Sequence, residues 1–286
     1  MGCVYFVSCS MAINHQSSTS RPNRKGKIHT RILSEGNGSE NPPLIILPGL
    51  LGSSRNWLTA GRSLGEERRV YALDLPDHGE SEWTEEPSFD EMSVRILEWA
   101  EEQGIEEADW LGHSLGGKVS MRIASDRPSI VRKLVLADIF PRVYPPHHAK
   151  DFAAMASLDL ESLSDRKAAD SAMAEEVPDW ALRQFLLTNL TRSEQGGFAW
   201  QVNLEGLHRN LPQLAGMPFG DGDLPIVVPT LLVYGGKSNF VRAEDLEDAE
   251  DFFEDLRARR LPESGHNIHV EAKEDFVRTV KDFLKG

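Results

Sequence analysis

The pentapeptide Gly112-His113-Ser114-Leu115-Gly116 constrains this chain more than any other feature. It lies between a short apolar run, Ala108–Leu111, and an amphipathic stretch, Leu115–Asp126. That context predicts a buried strand, a sharp turn and a helix. So tight a turn leaves no space for a Cβ at either glycine and drives Ser114 to the tip. The Leu115 N–H then opens the helix beside it. In a chain with 23 glycines among 286 residues the pattern alone is weak, and the flanking strand and helix carry the inference.

The rest of the chain repeats that alternation. Apolar runs predict strands at 28–32, 44–47, 70–74, 108–111, 133–138, 230–234 and 257–261. Helical periodicity appears at 55–64, 89–103, 115–126, 243–253 and 271–284. Short buried strands alternating with amphipathic helices give an α/β class with a mostly parallel sheet covered on both faces. Between Asp138 and Thr230 the rhythm fails. Phe152, Met155 and Leu158, then Leu182, Phe185, Leu186 and Leu190, recur at helical spacing, with Trp180, Phe198 and Trp200 adding aromatic bulk. A crossover needs no such length. Residues 141–222 are therefore expected to form a helical lid at the sheet end where ligands bind, with 37–140 and 223–286 as the core.

Composition removes several function classes. Arg and Lys number 31 against 45 Asp and Glu, a formal net charge of −14, which disfavours nucleic acid and anionic membranes as partners. The two cysteines, Cys3 and Cys9, exclude a Cys₄ zinc site and fit a reducing compartment. The longest apolar run, Leu44–Leu51, is broken by Pro48 and is too short for a membrane span. Residues 1–36 are basic and serine-rich, with Glu35 the first acid. They read as a flexible extension of a cytoplasmic protein; the alternative is an organelle transit segment and a matrix location.

Three further segments converge on Ser114. Leu44-Ile-Ile-Leu-Pro-Gly-Leu-Leu-Gly52 is a buried strand entering a glycine turn. There the Leu50 N–H would join that of Leu115 as an oxyanion donor. Asp74-Leu-Pro-Asp-His-Gly-Glu-Ser81 is a polar turn, read as a brace for neighbouring loops. Ser264-Gly265-His266 follows the last strand and can swing an imidazole over Ser114. His266 and His269 are spaced H-x-x-H, but metal needs more ligands than this pair, so no metal and no cofactor is expected. Gly49, His113, Phe185 and Trp200 are the candidate substrate-facing residues.

Together these segments resemble the α/β-hydrolase superfamily over residues 28–286. More narrowly, Gly112-His-Ser-Leu-Gly-Gly-Lys118, Ala137-Asp-Ile-Phe-Pro141, Gly235-Gly-Lys-Ser-Asn239 and Gly265-His-Asn-Ile-His269 resemble the YbfF-type esterases. The resemblance implies a helical lid inserted between the sixth and seventh core strands, with Ser114 as nucleophile and His266 as base. Most of the superfamily places an Asp after the strand at 230–234, where this chain has Ser238. The resemblance therefore assigns the orienting acid to Asp138, with Ser238 as auxiliary; Glu244 and Asp245 are the rival carboxylates. Pro48 replaces a His common in relatives and leaves the Leu50 N–H in place. The implied reaction is hydrolysis of a small carboxylic ester or thioester by a monomer or dimer. C–C bond hydrolysis or elimination with the same residues, and a non-catalytic receptor module, are the alternatives.

Overall fold

The computed structural model describes residues 26–285 except 39, 147, 194, 195, 221, 222 and 224. Cys3, Cys9 and residues 1–25 of the expected extension lie outside the described residues. Seven strands form one sheet: β1 (Thr30–Ser34), β2 (Leu44–Leu47), β3 (Val70–Leu73), β4 (Ala108–His113), β5 (Val131–Ala137), β8 (Thr230–Gly235) and β9 (Leu256–Leu261). Their spatial order is β1-β3-β2-β4-β5-β8-β9; β1 runs antiparallel to β3, and every other pair is parallel. Each of the seven strands read from the sequence is present. Thr30–Ser34 belongs to the sheet and not to the extension drawn through residue 36, because its backbone pairs with β3 from Thr30↔Leu73 to Ser34↔Val70.

Strand β2 shows why the sheet is covered twice. All four of its side chains are buried, but Ile45 and Leu47 face one core while Leu44 and Ile46 face the other. This is the period-2 alternation of a strand with helices on both sides. The Ile45 face packs on α2 (Phe89–Glu102) and α3 (Leu115–Asp126), the Leu44 face on α1 (Leu58–Leu64) and α11 (Lys273–Lys285). Because β2 has β3 on one side and β4 on the other, the chain order reverses between β2 and β4. The crevice at that reversal is where open α/β sheets bind ligands.

The long insertion leaves β5 and returns at β8. It holds α4 (Ala149–Ala156), α5 (Arg166–Met173), α6 (Trp180–Leu187), α7 (Leu204–Arg209) and α8 (Leu211–Leu214). It also holds a two-stranded antiparallel ribbon, β6 (Leu190–Arg192) with β7 (Phe198–Trp200), where only helix was expected. Leu190 thus starts a strand and does not continue α6. The insertion falls between the fifth and sixth strands of this sheet, not the sixth and seventh. The sheet has seven strands, and a single one, β1, precedes β2 among the described residues.

The expected helix at 243–253 is also shorter, α9 (Ala243–Glu247), followed by a 3₁₀ turn at Ala249–Asp251. Like charges four apart, Glu244 with Asp248 and Glu247 with Asp251, disfavour a continuous α-helix there. The remaining short helix, α10, spans Ile268–Glu271. Among the described residues no helix is long and apolar enough to cross a membrane.

Candidate active site

Ser114 joins β4 to α3 at φ 51° and ψ −119°. A non-glycine residue in this region costs about 1–3 kcal/mol and persists only where its surroundings over-determine it. The surroundings here are the two glycines. A Cβ on Gly112 would run into the Gly116 carbonyl, and one on Gly116 into the Leu47 and Pro48 carbonyls. Gly49 lies against the same turn: a Cβ there would stand 2.9 Å from His113 Nδ1 and 3.1 Å from Ser114 Cβ. Ser114 Oγ makes no hydrogen bond among the described residues, nor does the N–H of Leu50 or Leu115.

Asp138 stands one strand away. The register His113↔Ala137 places Ser114 and Asp138 at the same level of adjacent strands. Asp138 is fully buried and has φ 52°, a conformation that Asp tolerates better than most residues. Its Oδ1 accepts the Gly235 N–H at 2.8 Å. Its Oδ2 faces His266 Nδ1 at 2.7 Å and accepts the Ser238 hydroxyl. A carboxylate oxygen accepts, so Nδ1 is the donor of this pair. The rival carboxylates do not share this contact: Asp245 pairs with Arg142 at 3.2 Å and accepts the Arg242 N–H at 2.8 Å.

The His266 ring is held by neighbours that the sequence did not disclose. Phe240 stacks on it at 3.7 Å between centroids, and the His113 ring lies 4.6 Å away. His113 was expected to face substrate; it is buried, and its Nε2 donates to the His266 carbonyl at 3.0 Å. Glu271 straddles the same residue, accepting the Gly265 N–H at 2.6 Å and the Asn267 N–H at 3.2 Å. His269 stacks on Trp57 at 4.1 Å. Burial, and then the proximity of His266, pushes His269 down to about 3. The same causes, with His269 added, hold His113 well below the ordinary histidine range. Both imidazoles are neutral near pH 7. Among the described residues no group of three or more His, Cys, Asp or Glu is arranged to hold a metal ion.

The polar turn at 74–81 is a brace, as read from the sequence. Asp74 accepts the Ser54 N–H at 2.7 Å and the Glu80 N–H at 2.9 Å. Asp77, at φ 69°, accepts the Thr84 N–H at 2.8 Å, the Thr84 hydroxyl at 2.7 Å and Asn203 Nδ2 at 2.7 Å. Asn203 belongs to the insertion, so this carboxylate fastens the insertion to the core. A second tie runs from Asn189 Nδ2 to the Leu51 carbonyl at 2.8 Å, beside the glycine turn. Phe185 and Trp200 are half-buried against the larger core cluster, and neither makes a ring contact with His266 among the described residues.

Comparison with known proteins places the fold in a family. Residues 42–193 match the family described as the alpha/beta hydrolase fold. The chain is 32% identical to the sn-1-specific diacylglycerol lipase ABHD11 of Mus musculus, over 85% of this chain and 81% of that protein. It is 26% identical to Esterase YbfF of Escherichia coli (strain K12), over 90% of this chain and 99% of that one. The solved structure of a marine microorganism esterase superposes with a TM-score of 0.85 at 29% identity, covering 90% of this chain and 99% of the other. A serine at a glycine-built turn on this sheet and these three likenesses lead to one assignment: the chain belongs to the alpha/beta hydrolase fold family.

Proposed function

We propose that this protein hydrolyses a carboxylic ester or acyl thioester through an acyl-serine intermediate, with Ser114 as nucleophile, His266 as base and Asp138 as orienter. The observation that carries the reading is the 2.7 Å contact between His266 Nδ1 and a fully buried Asp138, one strand from a serine held at φ 51°. Relatives named esterase and lipase support ester hydrolysis as the general reaction.

Substrate enters with its carbonyl carbon over Ser114 Oγ. His266 Nε2 takes the hydroxyl proton as Oγ attacks, and Asp138 stabilises the imidazolium that results. The carbonyl oxygen, now bearing the negative charge, is received by the N–H groups of Leu50 and Leu115. The proton on Nε2 passes to the departing alcohol or thiol as the tetrahedral centre collapses. Water, deprotonated by the same Nε2, then releases the acid and restores Ser114. Ser238 holds Asp138 Oδ2 from the far side and limits its rotation. Residues 141–222 serve as the lid, with Phe185 and Trp200 turned toward the acyl chain. Residues 37–140 and 223–286, with β1 added, form the catalytic core.

Hydrolysis of p-nitrophenyl esters of increasing acyl length by wild type and Ser114→Ala tests the reading. Turnover lost in the variant supports it, and the preferred length measures the acyl site. A folded wild-type protein that turns over no ester or thioester refutes it.

A further inference from the structure

Lys118 lies one helical turn after Ser114 and is only 2% exposed, yet the proposed chemistry does not use it. Burying an ammonium is costly unless its donors are met. Burial, and then Arg142, pushes Lys118 down to about 7. Its three donors are matched by three carbonyls: Arg142 at 3.1 Å, Ala215 at 3.0 Å, and Gly216. Arg142 stands where the insertion leaves the core, and Ala215 and Gly216 where it turns back. One side chain of the nucleophile helix thus ties both arms of the insertion's neck. The arms are also joined to each other, since the Tyr144 N–H donates to the Ala215 carbonyl at 2.8 Å.

Tyr144 carries the contact onward. Lys118 Nζ lies 4.6 Å and Arg142 Cζ 4.0 Å from its ring centre. Its hydroxyl accepts the Phe140 N–H at 2.9 Å and meets the Phe240 carbonyl at 2.7 Å. That carbonyl is closer than the Phe140 carbonyl at 3.1 Å, so the single hydroxyl proton goes to Phe240. The Phe240 ring stacks on Tyr144 at 5.4 Å and on His266 at 3.7 Å. Direct contacts therefore run from Lys118 through Tyr144 and Phe240 to the imidazole.

We propose that Lys118 and Tyr144 are positioning residues that clamp the neck of the insertion against the Phe240 loop and so hold His266 in place for Ser114. The proposal rests on the reading of Ser114 and His266 as nucleophile and base.

Lys118→Met keeps the buried stem and removes the donors; Tyr144→Phe keeps the ring and removes the hydroxyl. Each is expected to lower kcat on a short p-nitrophenyl ester by about fivefold or more. The double variant should lose less than the product of the two, because both cut one connected chain. The pH profile of kcat/KM should move in both. Phe240→Ala, which removes the ring stacked on His266, should lower kcat as well. Folded variants that keep the wild-type kcat and pH profile, with only a lower melting temperature, overturn the proposal and leave a merely structural clamp. If Lys118→Met does not fold, Tyr144→Phe decides alone.

Amide hydrogen exchange separates this proposal from the ester reading. Should wild type turn over no ester, protection lost at both Tyr144 and Phe240 in Tyr144→Phe upholds the clamp while the ester reading fails. Protection unchanged at Phe240 overturns the clamp.

Discussion

Asp77 and Asp138 invite comparison. Each follows a strand of the central sheet, each is fully buried, and each sits at positive φ. Each spends its carboxylate on three donors. The difference is what the donors are. Asp77 receives a backbone amide, a hydroxyl and a side-chain amide, none of which changes protonation near neutral pH. Burial, opposed by the bonds from Asn203 and Thr84, pushes its carboxyl above the ordinary range. Asp138 receives an imidazole, whose charge changes during the proposed reaction. Burial and positive φ therefore do not tell the two carboxylates apart; the titratable partner of Asp138 does.

Giving both positions the same substitution breaks the comparison most sharply. Asn tolerates positive φ, so neither change adds backbone strain. In Asp138→Asn the amide group has a hydrogen to offer and favours the wrong imidazole tautomer. We expect kcat to fall by about 10³–10⁴-fold with the melting temperature nearly unchanged. In Asp77→Asn the expected order reverses: kcat stays within about threefold, while stability falls by about 1 kcal/mol through the weakened ties to Thr84 and Asn203. Steady-state kinetics and thermal melts of the pair measure both. Equal losses of activity would erase the distinction.

A smaller effect sharpens the Asp138 side. Ser238→Ala removes one donor from Oδ2 but leaves His266 and the Gly235 N–H in place. We expect a loss of about 10–100-fold in kcat/KM, of the order of one hydrogen bond to a charged group. A loss as large as that of Asp138→Asn would make Ser238 an equal member of the site.

The smallest effect concerns pH and stability. His269 has its folded-state pKa at about 3, well below the value of an unfolded histidine. Below about pH 6.5 the unfolded chain takes up a proton that the folded chain refuses. The contribution of this group is therefore complete above that pH and is lost as pH falls toward the folded value. His269→Phe keeps a ring against Trp57 and removes the titration. Its melting temperature should fall less than that of wild type between about pH 7 and pH 4, in scans at matched ionic strength. An unchanged slope would remove His269 from the account.

Much of this was legible in the sequence because it follows from local rules. All seven strands were marked by apolar runs, and the Ser114 turn by glycines whose Cβ atoms would collide. The meeting of Asp138 and His266 was expected once the family pattern was seen, because strand ends and loops bring them to one end of the sheet. What was not legible depends on distance along the chain. The β6–β7 ribbon has three residues per strand, too few to show a period of two. Lys118 meets carbonyls 24, 97 and 98 residues away, and no spacing rule foretells such partners. Phe240 looked like a loop residue and proves to be the plate on which His266 rests. His113 adjoins Ser114 in sequence, but its ring is buried and its Nε2 donates to the His266 carbonyl.

The central claim is that Ser114 is a nucleophile primed by His266 and Asp138. A fluorophosphonate probe followed by peptide mass mapping tests it directly, because labelling needs the activated hydroxyl and no knowledge of the natural substrate. The account predicts one adduct, on Ser114, absent from Ser114→Ala, strongly slowed in Asp138→Asn and unchanged in rate in Asp77→Asn. A folded wild-type protein that takes no label at Ser114, or labels equally fast in Asp138→Asn, would contradict it.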